Sequence, residues 1–202
     1  MALYPHSILF VRHGETDYNL ANRLQGQRDI ALNALGGKQA SAIGAKLATL
    51  LPDELARLDA AGEFYASPLE RTRETMELAR AAMGFAPMVY RLDPLLKELT
   101  FGAWEGLTWP EVNARNPAAA AEREADKWNF APPGGESYAM LAERLRPWLA
   151  ARTADCFVVS HGGVARVLMA LIAGASPLAA ENADIWQGRA IVFEGGRFAW
   201  VG

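Results

Sequence analysis

Short apolar runs constrain this chain most. Each is too brief to be a buried helix, and each stops at a polar or glycine-bearing cluster. Ser7 to Val11, Glu63 to Ala66 and Asp155 to Ser160 are such runs and read as buried strands, with Pro87 to Leu92 as a further strand. Between them lie segments of helical spacing. Gly36 to Leu51 is stopped by Pro52. A second helix opens at Ser67-Pro68-Leu69-Glu70, with Ser67 as N-cap, Pro68 at the first helical position and Glu70 closing a capping box. Glu136 to Arg152 carries Pro147 as a kink site, and a last helix runs from Gly162-Gly163 through Ile172. Arg189 to Glu194 and Arg197 to Val201 flank Gly195-Gly196, the signature of a terminal hairpin.

Strands alternating with helices predict a three-layer α/β/α sandwich with a mostly parallel sheet, to which the hairpin adds an antiparallel edge strand. No internal repeat is visible. Residues at about 105–135 contain Pro110, Pro117, Pro132, Pro133 and an alanine run. They read as an irregular lid inserted in one domain spanning 1–202.

The chain has 202 residues, 51% of them hydrophobic, enough for one core. Its formal net charge of -3 argues against a nucleic-acid binder, so any anion site must concentrate positive charge locally. The single cysteine, Cys156, sits in an apolar run and fits a reducing cytoplasm. The start lacks the basic-then-apolar pattern of a signal peptide. The apolar stretch after His161 is broken by Arg166 and falls short of the ~20 residues a bilayer needs, so no membrane association is expected.

Ligands of open α/β sheets bind at the carboxyl ends of strands. The first strand runs into Arg12-His13-Gly14, the second into Ser67-Pro68 with Arg71 in the following turn, and the last parallel one into His161-Gly162-Gly163. Two arginines and two histidines can therefore converge on one crevice. Arg offers forked donors for phosphate oxygens, and helix N-termini add backbone donors. A neutral imidazole can attack phosphorus, and a carboxylate can protonate the leaving oxygen and later activate water. Glu98 is the candidate for that role, with Glu15, Asp29 and Glu111 as alternatives. Each residue also has a plainer reading. Arg71 could pair with Glu74 at the surface, Trp104 and Trp109 could be packing, and Arg115, Arg123 and Lys127 could be a solvated helix face. His6 is read as incidental. A zinc site built from the two histidines and Glu98 is disfavoured, because Arg12 adjoins His13 and no helical His-x-x-x-His pair occurs.

Phe10-Val11-Arg12-His13-Gly14-Glu15-Thr16 resembles the signature of the histidine phosphatase superfamily, which includes the phosphoglycerate mutase-like proteins. The resemblance covers nearly the whole chain. Asn19 and Asn22-Arg23-Leu24-Gln25-Gly26 resemble the substrate loop, and Leu32 to Gly36 the start of the first helix. Tyr65 to Thr72, Glu98 to Gly106, Pro133 to Ser137 and Val158 to Gly163 match the second arginine motif, the acidic motif, the entry to a late helix and the second histidine motif. The resemblance implies that His13 is phosphorylated and that Arg12, Arg71 and His161 bind the phosphoryl group. It makes Glu98 the acid and base. It makes Asn19 a phosphate contact and puts Thr16, Gln25, Gly26 and Gly162 in the substrate-binding set. No metal or organic cofactor is implied for the hydrolytic branch.

The resemblance leaves two catalytic outcomes and one non-catalytic outcome. Mutases of the family carry a longer insertion with a lysine and adjacent arginines, and asparagine two residues after the second histidine. Here residues 107–131 contain no Arg-Arg pair, and Gly163 replaces the asparagine. The expectation is a phosphatase of small phosphorylated metabolites, with a phosphoglycerate mutase as the alternative and a non-catalytic phospholigand binder third. A homodimer through the exposed hairpin edge is compatible with this reading.

Overall fold

The computed structural model describes residues 4–201, so the two ends of the expected 1–202 domain lie outside it. In chain order the elements are β1 (Ile8–Arg12), α1 (Asp17–Leu20), α2 (Ala34–Leu50), α3 (Pro52–Ala61), β2 (Phe64–Ala66), α4 (Glu70–Ala82) and β3 (Arg91–Leu92). Two 3-10 turns follow, Pro94–Leu96 and Gly102–Trp104. Then come α5 (Trp109–Arg115), α6 (Pro117–Ala125), α7 (Tyr138–Ala150), β4 (Cys156–Ser160), α8 (Gly162–Leu171), α9 (Pro177–Glu181), β5 (Ala190–Glu194) and β6 (Arg197–Val201). The described strands form a six-stranded sheet in the order β3-β2-β4-β1-β5-β6. β3, β2, β4 and β1 are parallel; β5 runs antiparallel to β1, and β6 turns back along β5 as the outer strand.

Side chains alternate across a strand, and this builds the three layers. Ile8 and Phe10 of β1 face one core, with Leu141, Leu145 and Trp148 of α7 and Val164, Val167 and Leu168 of α8. Leu9 and Val11 face the other, with Ile43 and Leu47 of α2, Leu55 and Leu58 of α3, and Met76 and Ala79 of α4. Among the described residues, no helix is long and apolar enough to cross a membrane.

Four local expectations need correction. Ser67 does not cap α4: the N-cap is Leu69, without a side-chain bond, and Glu70 N donates instead to Asp29 Oδ1 at 2.6 Å. A distant loop thus satisfies the helix end and leaves Ser67 for other work. The expected strand from Pro87 contracts to Arg91–Leu92, because the partner β2 is short and only Tyr65 and Ala66 stand opposite. The segment at 105–135 is also more regular than its prolines suggested. Pro110 and Pro117 sit in the first turns of α5 and α6, where a missing N–H costs nothing. Thr108 and Glu111 close a capping box around α5. Trp104 is buried, stacks on Phe130 at 5.6 Å and meets Trp109 edge-on at 6.2 Å, which makes both tryptophans packing residues. Arg115 is exposed as expected, but Arg123 and Lys127 are not. Arg123 lies over the Trp109 ring at 4.0 Å, and Lys127 Nζ donates to Glu181 O at 2.7 Å.

The contact of α2 with α4 depends on a glycine. A Cβ on Gly44 would sit 2.4 Å from Ala79 O, whereas one on Gly37 would make only ordinary contact, 3.8 Å from Leu78 Cδ1. Gly44→Ala should therefore destabilise the protein by about 1–3 kcal/mol in urea unfolding, as overpacking does. Gly37→Ala on the same helix should stabilise it by about 0.5–1 kcal/mol. Equal effects of the two would contradict this packing.

Candidate active site

Strand register assembles the site. β1 and β4 pair with Arg12 opposite Ser160, so the next residues, His13 and His161, leave the sheet side by side. His13 N continues the ladder by donating to Ser160 O at 2.9 Å, and the two imidazole centroids stand 5.3 Å apart. β2 pairs with β4 one strand over, and Ser67 N donates to Val159 O at 3.1 Å. The Ser67 hydroxyl therefore meets His161 Nε2 at 2.8 Å, which is the work that capping would have denied it.

The protonation of His13 follows from its partners. Nδ1 lies 2.7 Å from Gly14 O, and a carbonyl only accepts, so Nδ1 carries the proton. Nε2 keeps its lone pair and receives Arg71 Nε at 3.3 Å. Both imidazoles are buried. Burial, then Arg71 and Arg12, hold His13 well below its ordinary value; burial, then Arg71, His13 and Arg12, do the same for His161. His13 is thus a neutral, oriented imidazole at neutral pH, with the Nε2 lone pair free for chemistry. Gly14 permits this corner, since a Cβ there would lie 2.4 Å from Gly36 O.

The cations are held by neutral oxygens. Arg71, from the first turn of α4, donates through Nη1 to Arg28 O and through Nη2 to Gly26 O, both at 2.8 Å. It does not pair with Glu74, whose carboxylate accepts from Leu32 N. Burial lowers the Arg71 guanidinium to about 10, so it stays charged. Arg12 Nη1 donates to Ile185 O at 2.7 Å. Arg12 Nε and His161 Nδ1 are buried and have no protein partner among the described residues. Both are polar atoms suited to an anion's oxygens.

Glu98 reaches the same crevice from the loop after Pro94–Leu96. Its Oε2 accepts from Gly163 N at 3.1 Å, at the start of α8, and its Oε1 accepts from Leu99 N at 3.0 Å. Glu98 is close enough to Arg12 and Arg71 to offset part of the burial effect on each. The alternatives are committed elsewhere. Glu15 accepts from Asn33 Nδ2, Asp29 from Glu70 N and Glu111 from Arg23.

The substrate-loop residues form a connected rim. Thr16 caps α1 and its hydroxyl lies 3.0 Å from Gln25 Oε1. Asn19 Oδ1 accepts from Thr16 N and from Gln187 Nε2. Gly26 has φ +53 and gives its carbonyl to Arg71. Gly162 opens α8 beside the Arg12 guanidinium.

Sequence reasoning missed several contributors. Gln187 and the Ile185 carbonyl come from the loop before β5, where local pattern carries no signal. Arg144 of α7 donates to Leu95 O, Lys97 O and Glu98 O and makes a two-pronged pair with Glu136, fixing the segment that bears Glu98. Its signal was available: an arginine three residues after Leu141 and four before Trp148 lies on the apolar face of its helix.

Comparison with known proteins agrees with this geometry. A family model described as histidine phosphatase superfamily (branch 1) matches residues 8–200. A glucosyl-3-phosphoglycerate phosphatase of Mycobacterium tuberculosis is 34% identical over 179 residues, 82% of this chain and 74% of that protein. A metal-independent phosphoserine phosphatase of Arabidopsis thaliana is 35% identical over 175 residues, 84% of this chain and 69% of that one. The structure of a mycobacterial glucosyl-3-phosphoglycerate phosphatase in complex with VO3 superposes with a TM-score of 0.77 at 27% identity, covering 96% of this chain and 97% of the other. With the motif order, the sheet and the paired histidines in agreement, the chain belongs to branch 1 of the histidine phosphatase superfamily.

Proposed function

We propose that this protein is a phosphatase that hydrolyses phosphomonoesters of small metabolites through a phosphohistidine on His13. The observation that carries the reading is the locked tautomer of His13, with Nδ1 on Gly14 O and Nε2 turned to Arg71. Relatives that are phosphatases support the same chemistry. In the first step the Nε2 lone pair forms the N–P bond as the P–O ester bond breaks, and Glu98 gives its proton to the departing alkoxide. In the second step Glu98 takes a proton from water, whose oxygen attacks phosphorus and releases His13 and inorganic phosphate. Arg12, Arg71 and His161 bear the charge on the phosphoryl oxygens, a stabilisation that preorganised donors supply in a desolvated pocket. Asn19, Thr16, Gln25, Gly26 and Gly162 shape the substrate side, and the segment at about 105–135 acts as the lid. A buried free thiol at Cys156 fits work in the cytoplasm.

Hydrolysis is favoured over mutase chemistry by Gly163. A Cβ there would lie 2.3 Å from Glu98 Oε1, so the asparagine of the mutase pattern would displace this carboxylate.

His13→Ala should lower turnover of an aryl phosphate by about 10³-fold or more. Wild type given 3-phosphoglycerate with catalytic 2,3-bisphosphoglycerate should release inorganic phosphate. Rapid conversion to 2-phosphoglycerate without phosphate release would reject the hydrolytic reading.

Glu98→Gln should cost about 10²–10⁴-fold on alkyl phosphates. The cost should be smaller on aryl phosphates, whose phenolate leaves with less need of a proton. Equal losses on both would remove Glu98 as the acid.

The ring signals of His13 and His161 should hold the neutral-imidazole chemical shifts from about pH 8 down to about pH 5.5, since a lowered value moves protonation below the ordinary 6.5. An NMR titration of either ring with a midpoint near 6.5 would contradict the environment described.

A further inference from the structure

The proposed chemistry needs one nucleophile, yet the crevice holds two neutral imidazoles. His13 and His161 are both buried, and their ring centroids stand 5.3 Å apart. A neutral imidazole has one N–H and one lone pair, and the bond made by one nitrogen sets the state of the other. The two rings differ in that bond. Gly14 O fixes the proton of His13 on Nδ1 and leaves Nε2 bare. His161 instead turns its Nε2 to a hydroxyl, that of Ser67, at 2.8 Å.

A hydroxyl can give or accept, so both sides of Ser67 must be accounted for. The residue is fully buried. Its backbone is held by the sheet, with Ser67 N on Val159 O at 3.1 Å and Thr72 Oγ1 on Ser67 O at 2.8 Å. Leu69 N approaches the Ser67 Oγ at 3.4 Å, a long contact in which the oxygen accepts. Among the described residues, the Ser67 hydroxyl proton has one acceptor in reach, His161 Nε2. A proton on Nε2 would leave that buried O–H without an acceptor, a costly arrangement. The other nitrogen argues the same way. His161 Nδ1 is buried without a protein partner among the described residues, and it is not spent on capping α8, which His161 heads without a side-chain bond. Protonated, Nδ1 is a donor for an anion's oxygen; bare, it would set a lone pair against that anion.

We propose that Ser67 is a positioning residue that donates to His161 Nε2, fixes His161 as the Nδ1–H tautomer, and so separates the roles of the two histidines. His13 presents a lone pair to phosphorus, and His161 presents an N–H to a phosphoryl oxygen. His161 Nδ1 then cannot compete as a second nucleophile, and its N–H is already in place for the charge that grows on the phosphoryl oxygens. The separation of roles rests on the phosphatase reading; the tautomer does not.

The tautomer is read by NMR of protein labelled with 15N in its imidazoles, at neutral pH, with the His161 signals assigned through their loss in His161→Gln. Wild type should show His161 with Nδ1 protonated and Nε2 bare. Ser67→Ala should populate the Nε2–H form. On an aryl phosphate its kcat should fall by about 10–100-fold with little change in KM, since a wrong tautomer costs most where charge develops. A merely structural role would lower the thermal midpoint without moving the ring proton. Nε2–H as the main form of wild type overturns the assignment whether or not the variant folds, and so does an unchanged Nδ1–H form in folded Ser67→Ala. A moved proton with unchanged kcat rejects the separation of roles. Absence of His13-dependent phosphate release from wild type overturns the phosphatase reading, and the separation of roles with it, while the tautomer stands on its own spectrum.

Discussion

The parallel pairing of β1 with β4 is the constraint on which the rest depends. With Arg12 opposite Ser160, the two histidines that follow must emerge as neighbours. A slip of one residue would turn every side chain of β1 to the opposite core and separate the rings. Ile8 and Phe10 on one face, and Leu9 and Val11 on the other, are all buried, so a slip would exchange side chains of different size between two packed cores. The apolar pattern that stabilises the sheet is therefore also what brings the reactive groups together.

Concentrating positive charge at that edge has an electrostatic cost, and the fold meets it with dipoles. Arg71 is buried with carbonyls of Arg28 and Gly26 as partners, and Arg12 with that of Ile185. Carbonyls hold a guanidinium without neutralising it, so the field remains available to an incoming phosphoryl group. Burial first, and that field second, keep both imidazoles unprotonated, which preserves the His13 lone pair. In the proposed chemistry the two roles agree: the arginines that would receive the anion add to the burial that keeps His13 from becoming a cation.

Local and periodic features of this architecture were legible in the sequence. The strands, the hairpin and the ordered strand-end motifs rest on patterns a few residues long, and His13, Arg71, His161 and Glu98 meet as those motifs implied. Failures occurred where a distant partner outbid a local one. Ser67 had the spacing of a cap, but Asp29 took the helix end and His161 took the hydroxyl. By contrast, Arg71 was expected at the strand ends rather than on Glu74 one turn away, and it does bond to His13 and the loop. Pro110 and Pro117 looked like breakers of structure and are starters of helices. Arg123 and Lys127 looked solvated because nothing nearby in sequence reveals the Trp109 ring or the Glu181 carbonyl that cover them. Backbone carbonyls such as that of Ile185 carry no side-chain signature at all.

Gly163 shows how a single missing side chain can bias chemistry. Its N–H holds one Glu98 oxygen while its Cα leaves room for the other. Arg144 fixes the same segment from below through the Glu98 carbonyl. The carboxyl group is thus clamped at backbone and side chain, beside the arginines that would hold the phosphoryl group. A water entering between Glu98 and phosphorus would find its base already aimed, without any rearrangement. A Cβ on Gly163 would lie 2.3 Å from Glu98 Oε1, so a side chain here would force the carboxyl group to shift. In the proposed hydrolysis, the space at Gly163 keeps Glu98 where it would activate the attacking water.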